Sequence, residues 1–369
     1  MSAPKSKPAA KPWIEQIHAY VPGRSKGADG RALVKLSANE NPLGSSPAAR
    51  AALADLHELA LYPDPDCTAL RAAIGGLHGI DPARIVCGAG SGEVLHCAVQ
   101  AFAGVGDEVV FPRYSFSLYP LLANKVGATG VLAEVEDYTA SVDAILAAVT
   151  DRTKVVLLDN PNNPLGSWID GNELARLHAG LPSDVLLVVD QAYAEYVGDG
   201  DPDGALALAA ASENVLVTRT FSKAYGLAAE RIGWATGAPA LVDMVNRLRG
   251  AFNVSASGQT AALAALGDQA FVARSRTENA AGRVFFEDAM AALGNHGLRA
   301  VPSKANFVLV LFEGALSAEA ALTALAEGGY AVRHLPGQGL GQALRITIGT
   351  RAQMEDVATI LSAAAEAVG

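Results

Sequence analysis

Residues 219–231 read Arg-Thr-Phe-Ser-Lys-Ala-Tyr-Gly-Leu-Ala-Ala-Glu-Arg, with Lys223 directly after a hydroxyl and eight residues before Arg231. The stretch continues the apolar run Asn214-Val-Leu-Val-Thr-Arg219, so Lys223 is expected just past the carboxyl end of a sheet strand. Open α/β sheets bind their ligands at that edge. A lysine on a surface helix would be solvated and inert. One that loses water at a strand end has a lowered pKa and becomes a nucleophile at neutral pH.

Upstream, the same kind of run recurs. Ile85-Val-Cys, Glu108-Val-Val-Phe, Lys154-Val-Val-Leu-Leu-Asp and Asp184-Val-Leu-Leu-Val-Val-Asp190 are continuous apolar segments without polar alternation. Such segments are strands covered on both faces, as in a mainly parallel sheet. Helical stretches separate them, around 93–102, 142–149 and 172–178. The expected architecture is α/β, with a mainly parallel sheet covered by helices over residues 81–270. After residue 270 the pattern becomes a long helix followed by strand 305–311, helix 318–326, strand 343–348 and helix 352–367. This reads as a smaller α+β unit, residues 271–369 together with 46–80. Residues 1–45 form a tail and arm, because Met1–Pro12 is basic and proline-rich with no apolar segment behind it.

Several strand ends carry chemistry. Asp190 closes an apolar run, where a buried carboxylate needs a cationic partner; the plain alternative is a loop or cap carboxylate. Tyr193 follows three residues later, and Asn163 lies in the turn Asn160-Pro-Asn-Asn-Pro-Leu-Gly166. Thr220, Ser222 and Arg231 supply hydroxyls and a planar donor fork suited to a phosphate. Gly88-Ala-Gly-Ser-Gly-Glu93 places Ser91, Gly92 and Glu93 at a helix start, where backbone amides attract anions. Tyr114, in Phe111-Pro-Arg-Tyr, is the aromatic expected to stack on a ring. Arg345, inside the apolar strand Ala343–Ile348, needs an anion, with Arg333 second in line. An amine, a carboxylate, a tyrosine, an asparagine and a phosphate grip are the parts of a pyridoxal 5'-phosphate site.

Other site types fit poorly. A dinucleotide fingerprint would need glycine where Glu93 stands. The seven histidines show no metal-ligand spacing, and no Gly-x-Ser-x-Gly occurs. The net charge of −10 argues against a nucleic-acid partner, while 50% hydrophobic and 18% charged residues suit a well-buried enzyme. Three irregularly spaced cysteines, Cys67, Cys87 and Cys97, suggest a reducing cytoplasm rather than a disulfide framework. No apolar run reaches the length of a membrane span.

With these residues in view, the chain resembles the fold type I pyridoxal-phosphate aminotransferases, and within them the branch acting on histidinol phosphate. The motifs are Leu36-Ser-Ala-Asn-Glu-Asn-Pro-Leu-Gly44, Tyr62-Pro-Asp64, 160–166, 190–195, 219–234, Phe252-Asn-Val-Ser255 and 344–350. The resemblance implies that Lys223 holds the cofactor covalently and Asp190 faces its ring nitrogen. It implies that Tyr193 and Asn163 touch the ring oxygen, and that Thr220, Ser222, Arg231 and the 91–93 amides hold the phosphate. It implies a homodimer with shared sites, in which Tyr62 reaches the other subunit's cofactor. Arg345 would grip the substrate's anionic end, with Tyr20, Asn41 and Arg333 nearby. The implied reaction is amino transfer between histidinol phosphate and 2-oxoglutarate. An aromatic-amino-acid aminotransferase and a decarboxylase of a phosphorylated amino acid are the alternatives.

Four positions depart from the family's usual pattern: Gln191 for Glu, Leu165 for Thr, Gly92 for an acidic residue, and Glu230 beside Arg231. Alternation along a strand is expected to turn Glu230 away from its neighbour.

Overall fold

The computed structural model describes residues 8–15, 17, 26, 30–56 and 60–369. A seven-stranded sheet comprises β1 (Ile85–Gly88), β2 (Glu108–Pro112), β3 (Thr129–Ala133), β4 (Thr153–Asp159), β5 (Leu186–Asp190), β6 (Val215–Thr220) and β7 (Gly233–Gly237). Their order is β1-β7-β6-β5-β4-β2-β3. All neighbours pair in parallel except β7, which runs antiparallel to both β6 and β1.

The absence of polar alternation in these strands follows from their burial. Val155, Leu157, Leu186 and Val188 point into one apolar cluster, and Val156, Leu158, Leu187 and Val189 into the other. Successive side chains alternate between faces, and helices cover both. Two strands, β3 and β7, carry little sequence signal. β7 reads Gly-Trp-Ala-Thr-Gly, and its burial comes from neighbours on either side.

A second, antiparallel sheet has the order β8-β9-β11-β10, with β8 Leu298–Val301, β9 Phe307–Phe312, β10 Arg333–Leu335 and β11 Leu340–Thr347. Helices Gln269–Ala292, Ala318–Glu327 and Arg351–Glu366 contribute Phe286, Leu325 and Leu361 to its core. The segment 46–80, expected with this smaller unit, packs elsewhere. Ala49, Cys67, Leu70 and Ile74 share a core with Val156 and Val189 of the large sheet. The apolar faces of helices Pro47–Ala54 and Thr68–His78 lie against helix Ala256–Gly267, which settles their position.

One glycine fixes how the early segment meets the lysine loop. Gly226 has φ +70°, and a Cβ there would lie 1.9 Å from the carbonyl oxygen of Gly44. No L side chain fits that approach. Among the described residues no helix is long and apolar enough to cross a membrane.

Candidate active site

A cavity of about 970 Å³ opens where β4, β5 and β6 end, roofed by the 35–40 segment and by residues of the second sheet. Lys223, Asp190, Tyr193, Asn163, Arg333 and Arg345 all line it. The parallel register brings the strand ends level, with Asp159 opposite Asp190 and Asp190 opposite Thr218.

Asp190 is buried, 3% exposed. Its Oδ1 accepts from Thr218 Oγ1 at 3.1 Å and its Oδ2 from the Tyr119 hydroxyl at 3.5 Å. Burial pushes its carboxyl up to about 6, although the Thr218 and Ala192 hydrogen bonds and nearby Lys223 oppose the rise. Lys223 sits in the Phe221-Ser222-Lys223 bend after β6 and donates Nζ to the carbonyl of Ala38 at 3.2 Å. Burial, followed by the charge of Arg345, pulls its ammonium down to about 7, with Glu40 pulling the other way. The amine is therefore half neutral near physiological pH.

Tyr193 presents its ring 5.8 Å from the Lys223 ammonium and accepts from Asn39 Nδ2 at 2.8 Å. Arg345 donates Nη1 to Asn163 Oδ1 at 2.5 Å and Nη2 to the carbonyl of Ser37 at 2.7 Å, over the face of Phe307. Arg333 lies opposite it across β10 and β11, so two cations face one wall.

At the other end, Thr220 Oγ1 lies 3.0 Å from Ser222 Oγ, which accepts from Arg231 Nη1 at 3.2 Å. Helix α1 (Ser91–Phe102) starts beside them after Gly90, whose φ is +81°. A Cβ on Gly90 would stand 2.7 Å from Arg231 Nη2, so the cradle has no room for a side chain. Glu93 does not repel an anion there freely. Its Oε2 accepts from Ala89 N and from Asn253 Nδ2, each at 2.6 Å. Two hydroxyls, a guanidinium and helix-start amides form an anion cradle at one end. A buried carboxylate lies further in and an amine with lowered pKa stands beside it, so the donor set fits pyridoxal phosphate.

Some expectations need correction. Tyr114 does not line the cavity; with φ +61° it packs against the apolar cluster of Leu309 and Leu340 and onto Tyr138, 6.3 Å between centroids, and Phe116 lines the wall instead. Asn41 faces away, donating to the carbonyl of Ala224 and to Ser275 Oγ, both at 2.9 Å, whereas Asn39 takes the cavity position. Glu230 lies in a 3-10 turn, Ala228–Glu230, not a strand; the turn and the left-handed φ of +57° at Arg231 separate the two side chains. The expectation for Tyr62 concerns the other subunit and needs no correction: the ring is 80% exposed, stacked 4.4 Å on Phe252, away from its own chain's cavity. Tyr20 lies outside the described residues.

The other departures are accommodated. Gln191, fully buried, accepts from Arg219 Nε at 2.8 Å and donates to Asp203 Oδ1 at 2.5 Å. An amide serves both a donor and an acceptor, which a carboxylate cannot do. Leu165 fills an apolar cluster with Val301 and Leu309, and Gly92 belongs to the cavity wall. Sequence reasoning missed Asp159, Asn39, Phe116 and His96, all of which line the cavity. Asp159 had the same signal as Asp190, a carboxylate closing an apolar run.

Residues 31–361 match the sequence profile of the family aminotransferase class I and II. The chain is 63% identical over 98% of its length to the histidinol-phosphate aminotransferase of Erythrobacter litoralis, covering 99% of that protein. It is 57% identical to that of Zymomonas mobilis, covering 98% of each. The crystal structure of histidinol-phosphate aminotransferase from Sinorhizobium meliloti in complex with pyridoxal-5'-phosphate superposes with a TM-score of 0.88 at 27% identity, covering 99% of this chain and 100% of that one. The chain belongs to the class I and II aminotransferase family, enzymes that work with pyridoxal phosphate.

Proposed function

We propose that the chain catalyses reversible amino transfer from histidinol phosphate to 2-oxoglutarate, giving imidazole acetol phosphate and glutamate in histidine biosynthesis. The observation that carries this reading is identity of 63% across nearly the whole chain to a histidinol-phosphate aminotransferase. The paired cations Arg333 and Arg345 on one cavity wall suit a substrate with an anionic end.

Pyridoxal phosphate, when bound, supplies an aldehyde that bonds to amines and a pyridinium ring that draws electrons from the neighbouring carbon. In this reading Thr220, Ser222, Arg231 and the amides of 91–93 hold its phosphate. Asp190 keeps the ring nitrogen protonated by placing a buried negative charge against it. Tyr193 and Asn163 donate to the ring oxygen. Lys223 holds the cofactor covalently and then, once freed by the incoming substrate amine, its Nζ moves the proton off the substrate's amine-bearing carbon. Arg345 and Arg333 orient the substrate's anion, helped by Tyr20. Residues 35–40 roof the cavity above these groups.

The active unit in this reading is a homodimer in which Tyr62 completes the partner's site; the exposure of Tyr62 and Phe252 supports it, since a stacked aromatic pair gains little in water. The enzyme works in the cytoplasm, where its three buried, unpaired cysteines stay reduced.

Steady-state assay of the purified protein tests the reaction. Glutamate should appear in step with consumption of histidinol phosphate, only when 2-oxoglutarate is present, and without carbon dioxide. Carbon dioxide release independent of an oxo acid would replace transamination by decarboxylation, and a preference for phenylalanine would replace the substrate.

A further inference from the structure

Asp159 ends β4 beside the carboxylate of Asp190 and is only 4% exposed. Burial pushes its carboxyl up to about 8, and the charge of Asp190 adds to the rise. A buried acid next to another acid is costly, and an apolar residue like Leu157 or Leu158 would fill a strand position more cheaply. The hydrogen bonds of Asp159 show what the group serves. Its Oδ2 accepts from the backbone N–H of Phe116 at 3.1 Å and from that of Asn163 at 2.8 Å. Its Oδ1 accepts from Asn162 Nδ2 at 3.0 Å, and Asn162 Oδ1 in turn accepts from Leu165 N.

Phe116 and Asn163 belong to different loops and both line the cavity. The loop before Phe116 turns sharply at Tyr114, whose φ is +61°, and needs a fixed point. Asn163 also carries Arg345 on its side chain. A single oxygen atom therefore ties together two cavity walls and, through Asn163, the arginine opposite them.

We propose that Asp159 is a positioning residue for the cofactor: its Oδ2 locks the backbones of Phe116 and Asn163 together and so fixes the walls against which the pyridoxal ring binds. The proposal rests on the reading of this cavity as the pyridoxal-phosphate site with Asp190 at the ring nitrogen. It makes no use of the charge of Asp159, because a neutral amide oxygen accepts the same two N–H groups.

The test compares Asp159→Ala with Asp159→Asn in the full-length protein. The dissociation constant for pyridoxal phosphate and the visible circular dichroism of the bound cofactor are measured, the latter reporting how rigidly the ring is held. Asp159→Ala should raise the dissociation constant more than threefold and weaken the dichroism. Asp159→Asn keeps an oxygen for both N–H groups but sets its amide nitrogen against Asn162 Nδ2, so it should impair both clearly less than Asp159→Ala. An alanine variant within threefold of native overturns the proposal, and so does an asparagine variant as impaired as the alanine one. Thermal unfolding of the cofactor-free variants separates global damage from local loss. If Asp159→Ala does not fold, Asp159→Ser, whose hydroxyl is too short to span both N–H groups, takes its place with the same expectation. Asp190→Asn is measured alongside. Native affinity and dichroism in that variant would contradict the reading of the cavity itself. A perturbed Asp190→Asn with an unaffected Asp159→Ala contradicts only the positioning role.

Discussion

Lys223 combines a nucleophile's position with a nucleophile's protonation state. Its pKa of about 7 arises from burial first and from Arg345 next. Below that pH the ammonium has no lone pair; above it the free amine attacks. Capture of pyridoxal phosphate by the cofactor-free protein should therefore speed up as pH rises, with a midpoint near 7 in stopped-flow absorbance. A midpoint near 10, the range of a solvated lysine, would show that the amine is not desolvated. Lys223→Ala should still bind the cofactor but lose about 10²–10⁴-fold in turnover, the usual worth of a general base. Asp190→Asn should lose about 10²–10³-fold, since a neutral amide cannot balance the ring's positive charge; turnover within a few-fold of native would remove Asp190 from that role. These two positions stood out in the sequence because Asp190 closes an apolar run and Lys223 follows another by three residues. Asn39 did not. Its side chain reaches Tyr193 from 154 positions away, and nothing local separates it from Asn41 two residues on. The Tyr114 expectation failed for a related reason. Which aromatic of a loop faces inward depends on one left-handed φ.

At the scale of elements, the cradle depends on backbone more than on side chains. Gly90 combines a positive φ with a neighbouring guanidinium at 2.7 Å from any added Cβ. Gly90→Ala should weaken cofactor binding about tenfold, combining displacement of Arg231 with the strain of a backbone conformation that essentially only glycine adopts. Equilibrium titration of the cofactor checks this, and unchanged affinity would mean that Arg231 is not seated in the grip. Strands β1, β2, β4, β5 and β6 were legible because burial on both faces leaves unbroken apolar runs. β7 was hidden, since a short strand between two glycines owes its place to the hydrogen bonds of β1 and β6. The 46–80 segment was misplaced because its helices show which face is apolar but not which partner covers it. Only tertiary contact with helix Ala256–Gly267 decides that.

At the scale of the molecule, two sheets meet at one cavity, and the proposed dimer would finish it. Mixing Lys223→Ala and Tyr62→Ala proteins under subunit exchange tests the sharing. If each site takes its lysine from one chain and its tyrosine from the other, half the dimers are mixed and each holds one native site. Activity should return to about a quarter of the native value. A mixture no more active than its parents would put both residues in the same chain's site. The central claim, amino transfer from histidinol phosphate, is tested most directly by a half-reaction on purified, cofactor-loaded protein without an oxo acid. Histidinol phosphate or phenylalanine is added separately, and loss of the bound cofactor's visible band is followed. Fast loss with histidinol phosphate and slow loss with phenylalanine is the predicted result; the reverse order, or no loss with histidinol phosphate, would contradict it.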